Sequence, residues 1–370
     1  MSDLNTDKNV YLLGAGFSKE AGLPLQDDFL MVAKEVFFKD PQLYRHFENV
    51  FKYQDKLTKM KKFLNYPLLN LEHLFNLIEM DVFYSNNDEK RNIKNDFIKL
   101  ICDVLIEKTA NPFSQSSTGN LEMNPSYRFY LPFIKLFIKQ RRNDGSLILY
   151  DDTIITFNYD LILEGVACYY NWECEQNMRT QLRYNPDNFI KFNTIFGKTN
   201  IINEQLAVYF SKNRANSFFP KENVFSQSEN DNSIKLIKLH GSINWKKSDD
   251  NMAFIVPPTW NKSEPEIRSL WDRAYNELIH AKRIIIIGYS FPEIDIYVRS
   301  LLALALNENK VLQNIYFINP DGGITKKSCL SLLDTYFEKY CSYKEWKYSV
   351  FMRSDEGLGF IRYQLNRTLA

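Results

Sequence analysis

The sequence predicts an α/β protein built on a mostly parallel sheet with helices on both faces. Three observations carry that expectation. Five short runs, Asn9–Leu13, Thr153–Phe157, Ile234–Leu239, Arg283–Ile287 and Asn314–Ile318, are nearly continuous in apolar residues, as strands covered on both sides are. Between them lie stretches whose apolar residues recur at helical spacing. Each run also ends in a polar or glycine-bearing turn (GAGFS, NYD, HGS, GYS and Asn319-Pro320-Asp321-Gly322). Open α/β sheets bind ligands beyond the carboxyl ends of their strands, so these residues would meet along one edge.

Taken in order, the first strand runs into GAGFSKEAGLP, Gly14 to Pro24. Gly14 and Gly16 have no Cβ and would let backbone approach a phosphate. A helix starting near Ser18 would aim free N–H groups at the same phosphate. The dinucleotide fingerprint GxGxxG is only partly matched, because Lys19 stands where its third glycine belongs. Helices are expected over Phe29–Phe38, Leu71–Ile78, Phe97–Ile106 and Tyr130–Ile138, with Leu71, Leu74, Phe75 and Ile78 on one amphipathic face. Pro112 to Pro125 reads as a loop. Residues 29–150 thus form a helical insertion after the first strand, and residues 172–232 a second, polar and variable one. Residues 1–28 and 151–330 make the core, and 331–370 a C-terminal segment.

The second strand ends in TFNYD, Thr156 to Asp160. Asn158 can orient a water or a sugar hydroxyl, and Asp160 can accept hydrogen bonds from an amide. On this motif alone, the pair reads first as caps for a helix over Leu161–Tyr170. The third ends in KLHGSINW, where His240 is placed as a general base near neutral pH, or as a histidine satisfied by a turn. His46, His73 and His280 lie on charged helical stretches and read as ordinary surface or half-buried residues. IIIIGYSFPEID brings Gly288 and Ser290 to a second close-approach turn, with Asp295 as a helix cap or weaker site candidate. Asn319 follows the last strand and could hold a ribose hydroxyl.

Composition narrows the function. The 370 residues carry 46 basic and 45 acidic side chains, a formal net charge of +1, so no global field draws nucleic acid. Nothing is long and apolar enough to span a bilayer, and the opening residues lack a signal-peptide pattern. Five cysteines at irregular spacing, Cys102, Cys168, Cys174, Cys329 and Cys341, include no CxxC pair. They predict neither disulfides nor a zinc ribbon, and fit a cytoplasmic protein. The P-loop GxxxxGK[ST] is absent from the sequence.

Together the motifs GAGxS, NxD, HG, GxS and a final Asn, in this order, resemble the sirtuin family, and most of all its bacterial sirtuin-like branch of NAD-consuming anti-phage defence effectors. GAGFSKEAGLP is similar to the sirtuin GAGxSxxxGIP motif, and TFNYD to TQN-I/V-D. The resemblance implies a Rossmann-like core and NAD as substrate, with no metal. It implies Asn158 and His240 as catalytic residues, and Gly14, Ala15, Gly16, Ser18, Asp160, Gly288, Ser290 and Asn319 as the dinucleotide's contacts. Deacylating sirtuins follow the motif's proline with Phe-Arg. Here Pro24 precedes Leu25-Gln26-Asp27, and no zinc ribbon is encoded, so hydrolysis of NAD to nicotinamide and ADP-ribose is expected over deacylation. A sensor that binds NAD or ADP-ribose, an ADP-ribosyltransferase and a deacylase are the alternatives. The resemblance also implies a homo-oligomer, controlled through a partner such as a HerA-type ATPase or a prokaryotic Argonaute. Any nucleic acid would be met through that partner.

Overall fold

The computed structural model describes residues 7–60, 70–85, 87–110, 113–115, 121–178, 190, 192–194, 197–199, 233–246, 253–256, 265–292, 295–330 and 335–367. Eight strands form the central sheet: β1 (Asn9–Leu13), β2 (Thr153–Thr156), β3 (Phe192–Thr194), β4 (Gly197–Thr199), β5 (Ile234–Lys238), β6 (Arg283–Ile287), β7 (Asn314–Ile318) and β8 (Cys341–Lys344). Their order across the sheet is β8-β7-β6-β1-β2-β5-β3-β4. Every neighbouring pair is parallel except β3 with β4. The fold is Rossmann-like and mostly parallel. From β1 the chain places β2 to β5 on one side, β5 inserting between β2 and β3, then crosses over to build β6, β7 and β8 on the other. Ligands of such sheets sit beyond the strand ends at that reversal.

Side chains alternate between the two faces of each strand, and two cores result. Tyr11, Leu13, Ile154, Leu236, Ile285, Ile287, Tyr316 and Ile318 face one core. Val10, Leu12, Ile155, Ile237, Ile284, Ile286, Ile315 and Phe317 face the other. The second core is closed by helices Pro265–Ile279 and Ile296–Glu308, through Leu270, Ala274, Leu278, Leu302 and Ala305. The first is far larger. It takes in helices Phe29–Lys39, Phe47–Met60, Leu71–Ser85, Asp88–Lys108, Tyr130–Lys135 and Ile162–Met178. Helices Tyr348–Arg353 and Asp355–Tyr363 pack into it as well, through Phe351, Phe360 and Ile361. Leu71, Leu74, Phe75 and Ile78 are all buried, as their spacing requires.

Three expectations are corrected. Pro112 to Pro125 is not simply a loop, because Phe113–Gln115 pairs antiparallel with Leu121–Met123. Tyr130–Ile138 is not one helix. It stops at Lys135, and Ile138 opens a strand, Ile138–Arg141, paired with Leu147–Leu149. The helix after β1 does not start near Ser18. A single turn, Ala15–Ser18, is followed by a 3-10 turn, Lys19–Ala21, which Gly22 closes with φ +93°. One turn aligns too few peptide dipoles to act as the charged helix end the sequence suggested. Most of residues 172–232 lies outside the described residues. Among the described residues, no helix is long and apolar enough to cross a membrane.

Candidate active site

The turns after β1, β2 and β5 converge on one cavity. Its wall includes Ala15, Ser18, Asn158, Asp160 and His240 of the ten residues singled out from sequence, together with Asp295. Gly14, Gly16, Gly288, Ser290 and Asn319 lie on the adjoining strand ends rather than in that wall.

Glycine at the strand ends has a reason internal to the fold. A Cβ on Gly14 would lie 2.6 Å from the Gly288 oxygen, and one on Gly288, at φ +63°, would lie 2.3 Å from the Phe17 nitrogen. No side chain fits there, and the close approach is of backbone to backbone. The N–H groups of Gly14 and Gly16 donate to Ile287 O and Gly288 O at 3.0 and 2.9 Å. Of residues 14–18, Ala15 and Ser18 reach the cavity, and Leu23 and Pro24 join them further along the turn.

Ser18, Asn158 and Asp160 form one network. The Ser18 hydroxyl donates to Asp160 Oδ2 at 2.7 Å. Asn158 Nδ2 donates to Gly14 O at 2.9 Å and to Ser18 Oγ at 3.1 Å. Both Asn158 amide hydrogens are therefore committed, and Oδ1 is the group it can offer a ligand. The other Asp160 oxygen accepts from Ile162 N at 3.0 Å, so the capping role anticipated for this residue is real and coexists with its place in the wall. Lys238, buried at the end of β5, ties the turns together. Its ammonium donates to Asp160 O at 2.5 Å, to Glu164 at 3.0 Å and to Ser242 Oγ at 2.8 Å. Burial pushes the Glu164 carboxyl above its ordinary range, against the pull of Lys238.

His240 is 2% exposed. Its ring lies among those of Phe157, Tyr159 and Trp271, at centroid distances of 5.8, 6.3 and 6.4 Å. Asp295 accepts from the Tyr289 hydroxyl at 2.7 Å and from Val298 N at 3.4 Å. It is both the cap expected and part of the cavity. Asn319 caps its own turn, accepting from Asp321 N at 3.1 Å, and Ser290 is exposed. His46 pairs with Asp103 at 2.9 Å, away from the site.

Sequence reasoning missed Glu72, Gln26, Tyr159 and Tyr289, all in the wall. Gln26 Nε2 donates to Glu72 Oε1, joining the turn after Pro24 to the helical insertion. No local signal marks Glu72, which flanks an amphipathic face and reaches the site only through packing. Gln26 did carry a signal, since Leu25-Gln26 follows Pro24 where the sirtuin motif that Gly14–Pro24 resembles would continue with Phe-Arg. Lys238 carried one too, as a lysine inside an apolar strand.

The SIR2-like domain family model matches residues 152–341, half of the chain, and the chain belongs to this family. The match begins after the Gly14–Pro24 turn, which the fold nonetheless brings against the matched strands. Among solved structures, the chain is similar to a Sir2 homologue determined as an NAD complex. The two share 15% identity over 98% of this chain and 92% of that one, with a TM-score of 0.36. It is also similar to Sir2Tm bound to a propionylated peptide, at 14% identity, 95% and 93% coverage and a TM-score of 0.36. No curated protein matches the sequence.

Proposed function

We propose that this protein is an NAD glycohydrolase, cleaving NAD and water to nicotinamide, ADP-ribose and a proton. The observation that carries the reading is that Asn158 and His240, from different strands, share the wall of one cavity with the Ser18–Asp160 pair. Cleavage of the nicotinamide–ribose bond builds positive charge on the ribose carbon, as in glycoside hydrolysis. Nicotinamide already leaves readily, so the protein's tasks are to hold the ribose, admit one water and remove its proton. Asn158 Oδ1 is the acceptor for a water or ribose O–H, held in orientation by Gly14 and Ser18. His240 takes the water's proton. Its three aromatic neighbours exclude bulk solvent from that exchange. Ala15 and Ser18 would meet the dinucleotide's phosphates, while Gly288, Ser290 and Asn319 would hold its adenosine half.

An effector of this kind in anti-phage defence, working as a homo-oligomer under a HerA-type ATPase or a prokaryotic Argonaute, fits the sequence resemblance and belongs to this proposal. The test is NAD consumption by the purified chain, followed as nicotinamide and ADP-ribose release. Wild type is expected to turn over, alone or with a co-purifying partner and nucleic acid. His240→Ala should lose about 10²–10⁴-fold, the usual contribution of a general base. Binding of NAD without turnover under every one of these conditions would replace the hydrolase by a sensor.

A further inference from the structure

We propose that Glu72 sets the charge preference of the cavity, making it a site for the oxidised, positively charged nicotinamide ring over the neutral reduced one. This rests on the NAD reading above. Glu72 comes from the helical insertion, on helix Leu71–Ser85, outside the 152–341 span that the family model matches. The fold nevertheless sets it in the same wall as Asn158 and His240. It is 7% exposed, and the Gln26 amide holds one of its oxygens.

The charge composition of the wall gives this position its meaning. Among the described residues, the carboxylates of the wall are Glu72, Asp160 and Asp295, and no lysine or arginine joins them. Asp160 is engaged by Ser18 and the Ile162 N–H. Asp295 is engaged by Tyr289 and the Val298 N–H. Both of those also cap helices, so their orientation is fixed by the fold. Asp160, Asp295 and Glu72 are each held by a side chain of the cavity, Ser18, Tyr289 and Gln26 respectively, and Glu72 is the one that the helical insertion supplies. Burial foremost, with Glu72 and Asp295 adding to it, pushes the Tyr159 hydroxyl well above its ordinary range, so this phenol stays neutral and supplies no charge of its own. A cationic ring entering such a wall gains attraction that a neutral ring of the same shape does not, and one such charge discriminates by at least about tenfold.

The test measures dissociation constants of NAD and NADH by titration calorimetry, in a His240→Ala background so that turnover does not intrude. That chain should bind NAD at least about tenfold more tightly than NADH. Adding Glu72→Gln should lower the ratio several-fold, and Glu72→Asp should keep most of it. If Glu72→Gln does not fold, judged by thermal melting, Gln26→Leu serves in its place. It removes only the carboxylate's anchor and should also lower the ratio. An unchanged ratio in the folded Glu72→Gln chain, or in Gln26→Leu where that substitutes, overturns the proposal while leaving the NAD reading intact. Binding of neither dinucleotide by the His240→Ala chain overturns both.

Discussion

Lys238 interrupts an apolar strand, and its three hydrogen bonds show why. Through them β5 holds the Asn158–Asp160 turn in register with the His240 turn, while the buried Glu164 balances its charge. Lys238→Met should lower stability by about 3 kcal/mol, because it leaves a carboxyl in the core without its partner. Glu164→Leu in the same chain should restore much of that stability in chemical denaturation. Neither variant should recover NAD turnover, since the turn would no longer be fixed. At this scale the sequence was legible at Asn158, Asp160 and His240, which follow strands and meet in the wall, but not at Ser290 and Asn319, which follow strands as well and lie outside it. It was silent where a contact depends on two distant segments folding together. Glu72 on its helix has nothing in its local pattern to distinguish it from a solvated glutamate, and only the packing of the insertion brings it to Gln26.

The strands carry their own ionic arrangement at the end remote from the site. Lys8 pairs with Glu277 at 2.5 Å, Lys235 with Asp151 at 2.6 Å and Arg283 with Asp7 at 2.5 Å. Burial works to raise the Asp7 carboxyl, but hydrogen bonds from Arg283 and Asn366 and the charge of Arg283 outweigh it and hold the group well below its ordinary range. Glu277 is likewise lowered, as the charges of Lys8 and Lys235 overcome the effect of burial. A depressed carboxylate stabilises the fold at pH above its ordinary value, and the gain is lost as pH falls through the depressed one. The melting temperature should therefore drop on acidification below about pH 4.5, the ordinary value for Glu277. Scanning calorimetry of Glu277→Gln should show a shallower decline. The elements themselves were readable to differing degrees. Continuous apolar runs gave β1, β6 and β7 with their observed bounds, because both faces are covered and no alternation blurs them. The Phe113–Gln115 hairpin was hidden by a serine- and asparagine-rich connection that resembles an ordinary loop. The Ala15–Ser18 turn was misplaced because its start is set by contact with Gly288 rather than by a cap.

Across the molecule, the first and last described residues, Asp7 and Arg367, meet beside the sheet. Arg367 donates to both oxygens of Asp152, at 2.8 and 2.7 Å, and to Asp7 Oδ2 at 3.1 Å. Arg367 and Asp152 are 1% and 2% exposed. Arg367→Ala should cost about 3–5 kcal/mol by leaving Asp152 buried without its partner, read as a shifted urea midpoint with an unchanged slope. Nothing in the sequence of the last residues announced this role, because an arginine near a terminus is ordinarily solvated and its partner here lies 215 residues away. The same placement of β1 at the centre of the sheet bears on how the protein is made. β1 is synthesised before both of the strands it pairs with, β2 and β6, whose Arg283 lies opposite Asn9. At roughly 5–20 residues per second, the segment that will become the middle of the molecule is synthesised well before its second neighbour exists. Until translation passes Ile287, one edge of this apolar strand lacks the neighbour that covers it in the fold.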